Sequence, residues 1–330
     1  MKKIMVVLMA LSTLAFAGCA KKQAKKNIGI VQQMNHNSLN TISDSIKAQL
    51  AELGYNDSNS VITFKQGDND MTTLSQIVDE YVNNGADIII PIATKAANAA
   101  LAAADNGIPV VFAACSDPVG AKLLSNMEHP EGNVTGTSNA IQADKNLDFA
   151  LTVNPDLKKI GFIHTSGEAN AQSTINMAIA YADKIGLAYK DCTIDDVSAI
   201  AETVKLMYDD GCRAVFLPND NKLAAHGNMA ILASACLEYK LPLYCGADSQ
   251  VEDGGFANVG ITYSDLGKET ANMADRILKG AKVSEVPVKV FNRPEELKLF
   301  VNPDTLAALG ITLPTEITKA ENYIEVKPTN

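Results

Sequence analysis

The sequence predicts an α/β fold built from two three-layer lobes, each a parallel sheet covered by helices. Three observations carry that prediction. Short β-branched apolar runs alternate with longer segments of helical spacing, the pattern of a parallel sheet. The alternation occurs in two successive runs, one from Asn27 and one from Lys159. At least one strand, Asp87 to Ile92, is apolar without polar interruption, as expected when both faces of a sheet are covered.

In the first run, Ile28 to Val31 reads as a strand, and Leu39 to Leu53 as an amphipathic helix stopped by Gly54. Val61 to Phe64 is the next strand, and Thr72 to Asn84 a helix stopped by Gly85. After the strand ending at Ile92 come an alanine-rich helix, Lys95 to Asp105, and a strand, Pro109 to Ala113. In the second run the strands are Ile160 to His164, Ala188 to Thr193, Ala214 to Leu217 and Pro242 to Cys245. Its helices are Ala169 to Ile185, Ser198 to Asp209 and Leu223 to Tyr239. The boundary falls near Asp144 to Asn154. A late strand (Asn258 to Ile261) and helix (Ser264 to Leu278) are candidates to return to the first lobe.

The first 26 residues read differently. Lys2 and Lys3 precede an apolar run, Ile4 to Phe16, followed by Ala17-Gly18-Cys19 and a lysine-rich stretch to Lys26. This is the pattern of a secretory signal peptide; the run falls short of the ~20 residues a membrane span needs. The small pair before Cys19 resembles the lipobox of bacterial lipoproteins. That resemblance implies cleavage after residue 18, a lipid such as palmitate on Cys19, and a body tethered outside the cytoplasmic membrane.

Bulk composition narrows the function. Removing residues 1–18 from 330 leaves 312, long for one core and natural for two. The chain carries −10, and loss of Lys2 and Lys3 takes it to −12. An acidic body argues against nucleic acid as partner. Cys115, Cys192, Cys212, Cys236 and Cys245 form no CxxC pair and read as buried thiols, with one disulfide left open. No dinucleotide, P-loop or nucleophile-elbow motif occurs. His36, His129, His164 and His226 are scattered, so no enzymatic chemistry, cofactor or metal is expected.

Ligands of open parallel sheets bind beyond the C-terminal strand ends. Those positions are rich in small polar residues: Gln32 to Asn37, Ala93-Thr94-Lys95, Ser116-Asp117, Thr165 to Asn170, Asn219-Asp220-Asn221 and Gly246-Ala247-Asp248. Singly, each is an ordinary helix cap. Together, at equivalent positions of two sheets, they predict one cleft. Helix N-termini there suit a carboxylate, and Asp117, Asp220 and Asp248 suit an ammonium, so the expected ligand is a zwitterion such as an amino acid.

The segments Ile92-Ala93-Thr94, Ser116 to Ala121, Gly132 to Gly136, Ser166 to Asn170, Pro218 to Asn221, Gly246-Ala247-Asp248 and Val259 to Tyr263 occur in order along the chain. In these it resembles the substrate-binding lipoproteins of ABC importers that include aromatic-amino-acid-binding proteins. The resemblance implies two Rossmann-like lobes joined by a multi-crossover hinge, the type 1 periplasmic-binding fold. It divides the chain into a signal (1–18), a lipidated tether (19–26), a first lobe (27–143 plus 258–280) and a second (144–257 plus 281–330). It implies hinge closure on an amino acid, aromatic favoured, delivery to a permease and its ATPase, and a monomer held at the cell membrane. Thr94 and the Ser166–Asn170 turn, including Glu168 and Ala169, would meet the ligand carboxylate. Asp117, Asp220 and Asp248 would fall near the ammonium, with Asn221 and His36 also at the cleft. The family's usual Glu-His-Pro becomes Asn35-His36-Asn37, and Lys95 stands where Pro is common, a cation opposed to the helix dipole. Phe112 and Tyr263 are the candidate stacking residues. A ligand-dependent sensor or adhesin on the same fold is the alternative.

Overall fold

The computed structural model describes residues 24–326 except 226. The signal, Cys19 and most of the tether lie outside the described residues.

The first sheet has six parallel strands, all running with β1 (Lys26–Gln32). Its order is β11-β5-β4-β3-β1-β2, where β2 is Ser60–Gln66, β3 Ile88–Ile92, β4 Val110–Phe112, β5 Val134–Ser138 and β11 Lys289–Val290. Helices α1 (Asn37–Glu52) and α9 (Tyr263–Leu278) cover one face; α2 (Met71–Asn83) and α3 (Thr94–Asp105) cover the other. In α1, Ile42, Ile46 and Leu50 recur every four residues and are 0% exposed. Each buried side chain of this size stabilises the lobe by about 2 kcal/mol. Gly267 of α9 lets the two helices touch, since a Cβ there would sit 2.7 Å from the Ile42 carbonyl oxygen.

The second sheet has the order β13-β12-β10-β9-β8-β6-β7. Its strands are β6 Lys159–Thr165, β7 Ala188–Ile194, β8 Val215–Leu217, β9 Leu243–Cys245, β10 Ala257–Gly260, β12 Lys298–Val301 and β13 Tyr323–Glu325. Parallel pairing dominates, but β10 and β12 pair antiparallel. Helices α4 (Ala143–Val153) and α5 (Ala169–Ile185) cover one face. The other takes α6 (Ile200–Asp209) and α7 (Asn228–Glu238). Three short helices complete the count: α8 (Asp248–Glu252), α10 (Pro303–Leu309) and α11 (Thr315–Thr318).

The chain crosses between lobes three times: after β5, between β10 and α9, and between β11 and β12. This departs from the expected division at two points. The late strand stays in the second sheet, because β10 is hydrogen-bonded between β9 and β12; only the following helix returns, packing on α1. Residues 289–290 then add an edge strand to the first sheet against Thr137 and Ser138. The five described cysteines are free thiols, four buried and Cys192 partly so.

Candidate functional site

The two sheets turn the C-terminal ends of their strands toward each other, and the residues beyond those ends line a cavity between the lobes.

From the first lobe, α1 brings His36, Ser38 and Leu39, and the turns after β3 and β4 bring Ala93, Ala114 and Ser116. Ala93 has φ 75 and ψ 163, and Ala114 has φ 58. Such backbone is disfavoured for any residue with a Cβ, by on the order of 1–3 kcal/mol, and concentrates at functional sites. The hydrogen bonds Ala93 N–H to Ala113 O (2.9 Å) and Ala113 N–H to Pro91 O (2.8 Å) hold it in place.

From the second lobe come Asn170, Asn219, Asp220, Asn221 and Gln250. Asp220, 0% exposed, accepts from Thr165 N–H (2.5 Å), the Thr165 hydroxyl (2.8 Å), Lys222 N–H (3.0 Å) and Leu223 N–H (3.0 Å). Its carboxyl oxygens are thus engaged within their own lobe, pinning the turn after β8 rather than pointing at a ligand. Gln250 accepts from Gly246 and Ala247 N–H and donates to Pro218 O (3.2 Å). Asn170 donates to Asn219 O.

Tyr263, at the return crossover, is buried at the cavity wall. Its hydroxyl oxygen accepts from Asn139 Nδ2 (3.0 Å) and Asn219 Nδ2 (2.5 Å), tying the first crossover to the second lobe. With both lone pairs engaged, its hydrogen is left to donate. Burial drives its pKa upward, so the phenol stays neutral.

His36, Asn221 and Glu168 form a line across the interface. Asn221 Nδ2 donates to Glu168 Oε2 (2.6 Å), and Asn221 Oδ1 faces His36 Nε2 (3.2 Å). Burial lowers the His36 pKa to about 4 and raises that of Glu168. Four further bonds join the lobes: Ser38 Oγ to Ser249 Oγ, Asn37 Nδ2 to Asp253 Oδ1 (2.8 Å), Asn69 Nδ2 to Glu168 Oε1 (3.4 Å) and Ser173 Oγ to Asp117 Oδ2 (2.8 Å). The lobes are therefore closed. Each such bond is worth about 1 kcal/mol net because water replaces it when the lobes part, so closure is reversible.

The other predicted residues stand around this cavity rather than on it. Thr94, buried, pairs its hydroxyl with Cys115 Sγ (3.5 Å). With Asp117, Ala169 and Ser173 it lines an adjoining compartment that meets the cavity at Asn170. Ser166 lies outside both, its carbonyl accepting from Lys222 Nζ (3.1 Å). Asp248 accepts from Ser249 N–H (2.9 Å) and Tyr263 N–H (3.3 Å), and desolvation pushes its carboxyl up to about 7. Lys95 does not stand free in solvent: its ammonium donates to the Asn69 carbonyl (3.1 Å) and Oδ1 (2.7 Å). His164 lies inside the second lobe, against Asp191 (3.1 Å) and Thr193 (3.0 Å). Phe112 packs in the core. Ser38, Leu39, Asn139 and Gln250 line the cavity without having been singled out, and Ser116 and Asn219 line it from turns that the sequence marks. Asn139 carried no signal, because it follows a strand that reads as a loop.

The wall thus offers neutral amides, hydroxyls, small apolar groups, the His36 imidazole and one phenol, with its one carboxyl already hydrogen-bonded. A molecule that balances its own charge enters such a site at least desolvation cost. Among the described residues no group of three or more His, Cys, Asp or Glu converges to hold a metal ion.

A family model described as ABC transporter substrate binding protein matches residues 27–324. The chain is 32% identical over 293 residues to a tyrosine-binding protein of Clostridioides difficile (strain R20291), covering 88% of this chain and 82% of that one. Among solved structures, an ABC domain in complex with L-Trp from Streptococcus pneumonia matches with TM-score 0.83 and 35% identity, over 91% of this chain and all of that one. A ligand-free, open substrate-binding protein with adhesive properties from Clostridium difficile matches with TM-score 0.71 and 31% identity, over 92% and 100%. The better superposition on the ligand complex agrees with the closed lobes seen here. On this likeness over nearly its whole described length, the chain belongs to the ABC transporter substrate-binding protein family.

Proposed function

We propose that this chain captures a single aromatic amino acid, as the zwitterion, between its lobes and hands it to an ABC permease driven by its ATPase. The observation that carries this reading is the cavity between the closed lobes, polar and without a cationic side chain, with Tyr263 in its wall. The tyrosine-binding and L-Trp-bound relatives support the aromatic class. The N-termini of α1 and α3 suit the carboxylate; the side-chain amide oxygens of Asn170 and Asn219 suit the ammonium. The protein works as a monomer, held by lipid on Cys19 at the outer face of the cytoplasmic membrane.

A thermal-shift screen of residues 27–330, refolded free of carried-over ligand, tests the reading against the twenty amino acids. Stabilisation of about 2.7 kcal/mol is expected at a hundredfold excess over Kd with tyrosine or tryptophan. No shift with any aromatic amino acid would overturn it. For the anchor, a palmitate analogue should label cells making the wild type and leave Cys19→Ala unlabelled.

The 31% identical relative with adhesive properties favours a second role at the surface. Cells lacking the protein would then adhere less, whether or not the permease is present.

A further inference from the structure

The aromatic reading leaves open which group recognises the ring. His36 is 5% exposed, lines the cavity, and has one nitrogen engaged. Which nitrogen carries the proton follows from its neighbours. Glu168 accepts the Asn221 amide hydrogens at Oε2, so Asn221 turns its carbonyl oxygen to His36. A carbonyl only accepts, so the proton sits on Nε2, and in the neutral ring Nδ1 is then a bare acceptor. Nδ1 is buried and has no hydrogen-bond partner. A buried acceptor without a partner is uncommon and asks for a donor.

Tyrosine and tryptophan, the two ligands of the relatives, differ in shape but share one feature beyond the amino-acid backbone: a ring bearing a single O–H or N–H donor. Phenylalanine has the ring without the donor. We propose that His36, held in its Nε2–H form by Asn221 and Glu168, reads that donor through Nδ1 and so selects tyrosine and tryptophan over phenylalanine. The inference rests on the aromatic reading of the cavity. A site built to pair with a ligand donor rejects the analogue lacking it, because the site's own group stays unpaired.

The test is a calorimetric titration of the mature chain with L-tyrosine, L-tryptophan and L-phenylalanine, on the wild type and on His36→Leu. Phenylalanine should bind the wild type about ten- to a hundredfold more weakly than tyrosine, and in His36→Leu that ratio should collapse to about one. Equal wild-type affinity for all three overturns the inference and leaves the aromatic reading standing. A His36→Leu variant that weakens all three by the same factor also overturns it, placing His36 at the shared backbone of the ligands. Binding of none of the three removes the aromatic reading and this inference with it. Should His36→Leu not fold, nitrogen NMR of the wild-type ring decides: a proton on Nε2 with a lone pair on Nδ1, and an Nδ1 shift on adding tyrosine but not phenylalanine, supports it. A proton on Nδ1 overturns it.

Discussion

The two lobes build the cavity wall in different ways. On the second lobe the polar groups bond mainly to one another: Asp220 gathers the Thr165 and Lys222–Leu223 donors, Gln250 spans Gly246 and Pro218, and Asn170 holds Asn219. On the first lobe the corresponding groups reach outward, with His36, Asn37, Ser38 and Asn69 all finding partners across the gap. One wall is assembled before closure and the other is completed by it. A cavity side chain whose partners lie in its own lobe is therefore a framework group, and one whose partner lies opposite is a closing group.

The comparison breaks most visibly at Asp220. Asp220→Ala strands buried donors of Thr165 and the 222–223 turn, and urea unfolding should show a loss of about 3 kcal/mol. A loss under 1 kcal/mol would mean the second wall is not preassembled. Next comes acidity. The Asp248 carboxyl is raised from 3.8 to about 7, so its contribution is present below pH 3.8 and lost as pH rises through 7. Urea unfolding of wild type and Asp248→Asn should differ in slope across pH 5 to 8, the wild type losing about 2 kcal/mol more. His36 has the opposite sign. Lowered from 6.5 to about 4, it contributes above pH 6.5 and its contribution is lost as pH falls through 4.

Tyr263→Phe removes the oxygen that receives two amides, and calorimetry should show ligand affinity weakened about tenfold. An unchanged affinity would show that the crossovers need no such tie. Asn37→Ala deletes a closing bond alone. Ligand affinity should fall about fivefold, on the net worth of one hydrogen bond, while the melting temperature of the ligand-free protein stays within a degree. The smallest change expected is Ala93→Gly. Relief of its strained backbone, opposed by the extra chain entropy of glycine, should raise unfolding free energy by about 0.5 kcal/mol.

How far the sequence reveals this molecule depends on the kind of signal. Long apolar runs declare themselves: the run Asp87 to Ile92 contains β3, and helical spacing locates α1, α2 and α5. Val134–Ser138 does not, because VTGTS carries a single large apolar side chain and a glycine. It is nonetheless a buried strand, with Thr135 and Thr137 satisfied by Val286 O (2.6 Å) and Thr270 Oγ1 (2.8 Å). Gly136 is needed there because a Cβ would lie 2.0 Å from the Phe112 carbonyl oxygen. The helix read from Leu223 begins at Asn228: Asp220 accepts from Leu223 N–H in a turn, and Gly227 (φ 90) is the residue that precedes the helix. The sheet joined by a late strand is decided by partners far along the chain, so β10 could not be placed from its own residues.

At the site, strand ends mark the right turns, but not which residue of each turn faces inward. Ala93 lines the cavity beside Thr94, and Ser116 beside Asp117, because backbone twist at positive φ is invisible in residue type. Acidic side chains drew the eye as ammonium ligands; Asp220 is instead claimed by its own turn.

The most direct measurement is small-angle X-ray scattering of residues 27–330, stripped of ligand, with and without saturating L-tyrosine. The account predicts an expanded free form that contracts on tyrosine to the closed arrangement described here. Scattering that does not change would contradict capture by closure.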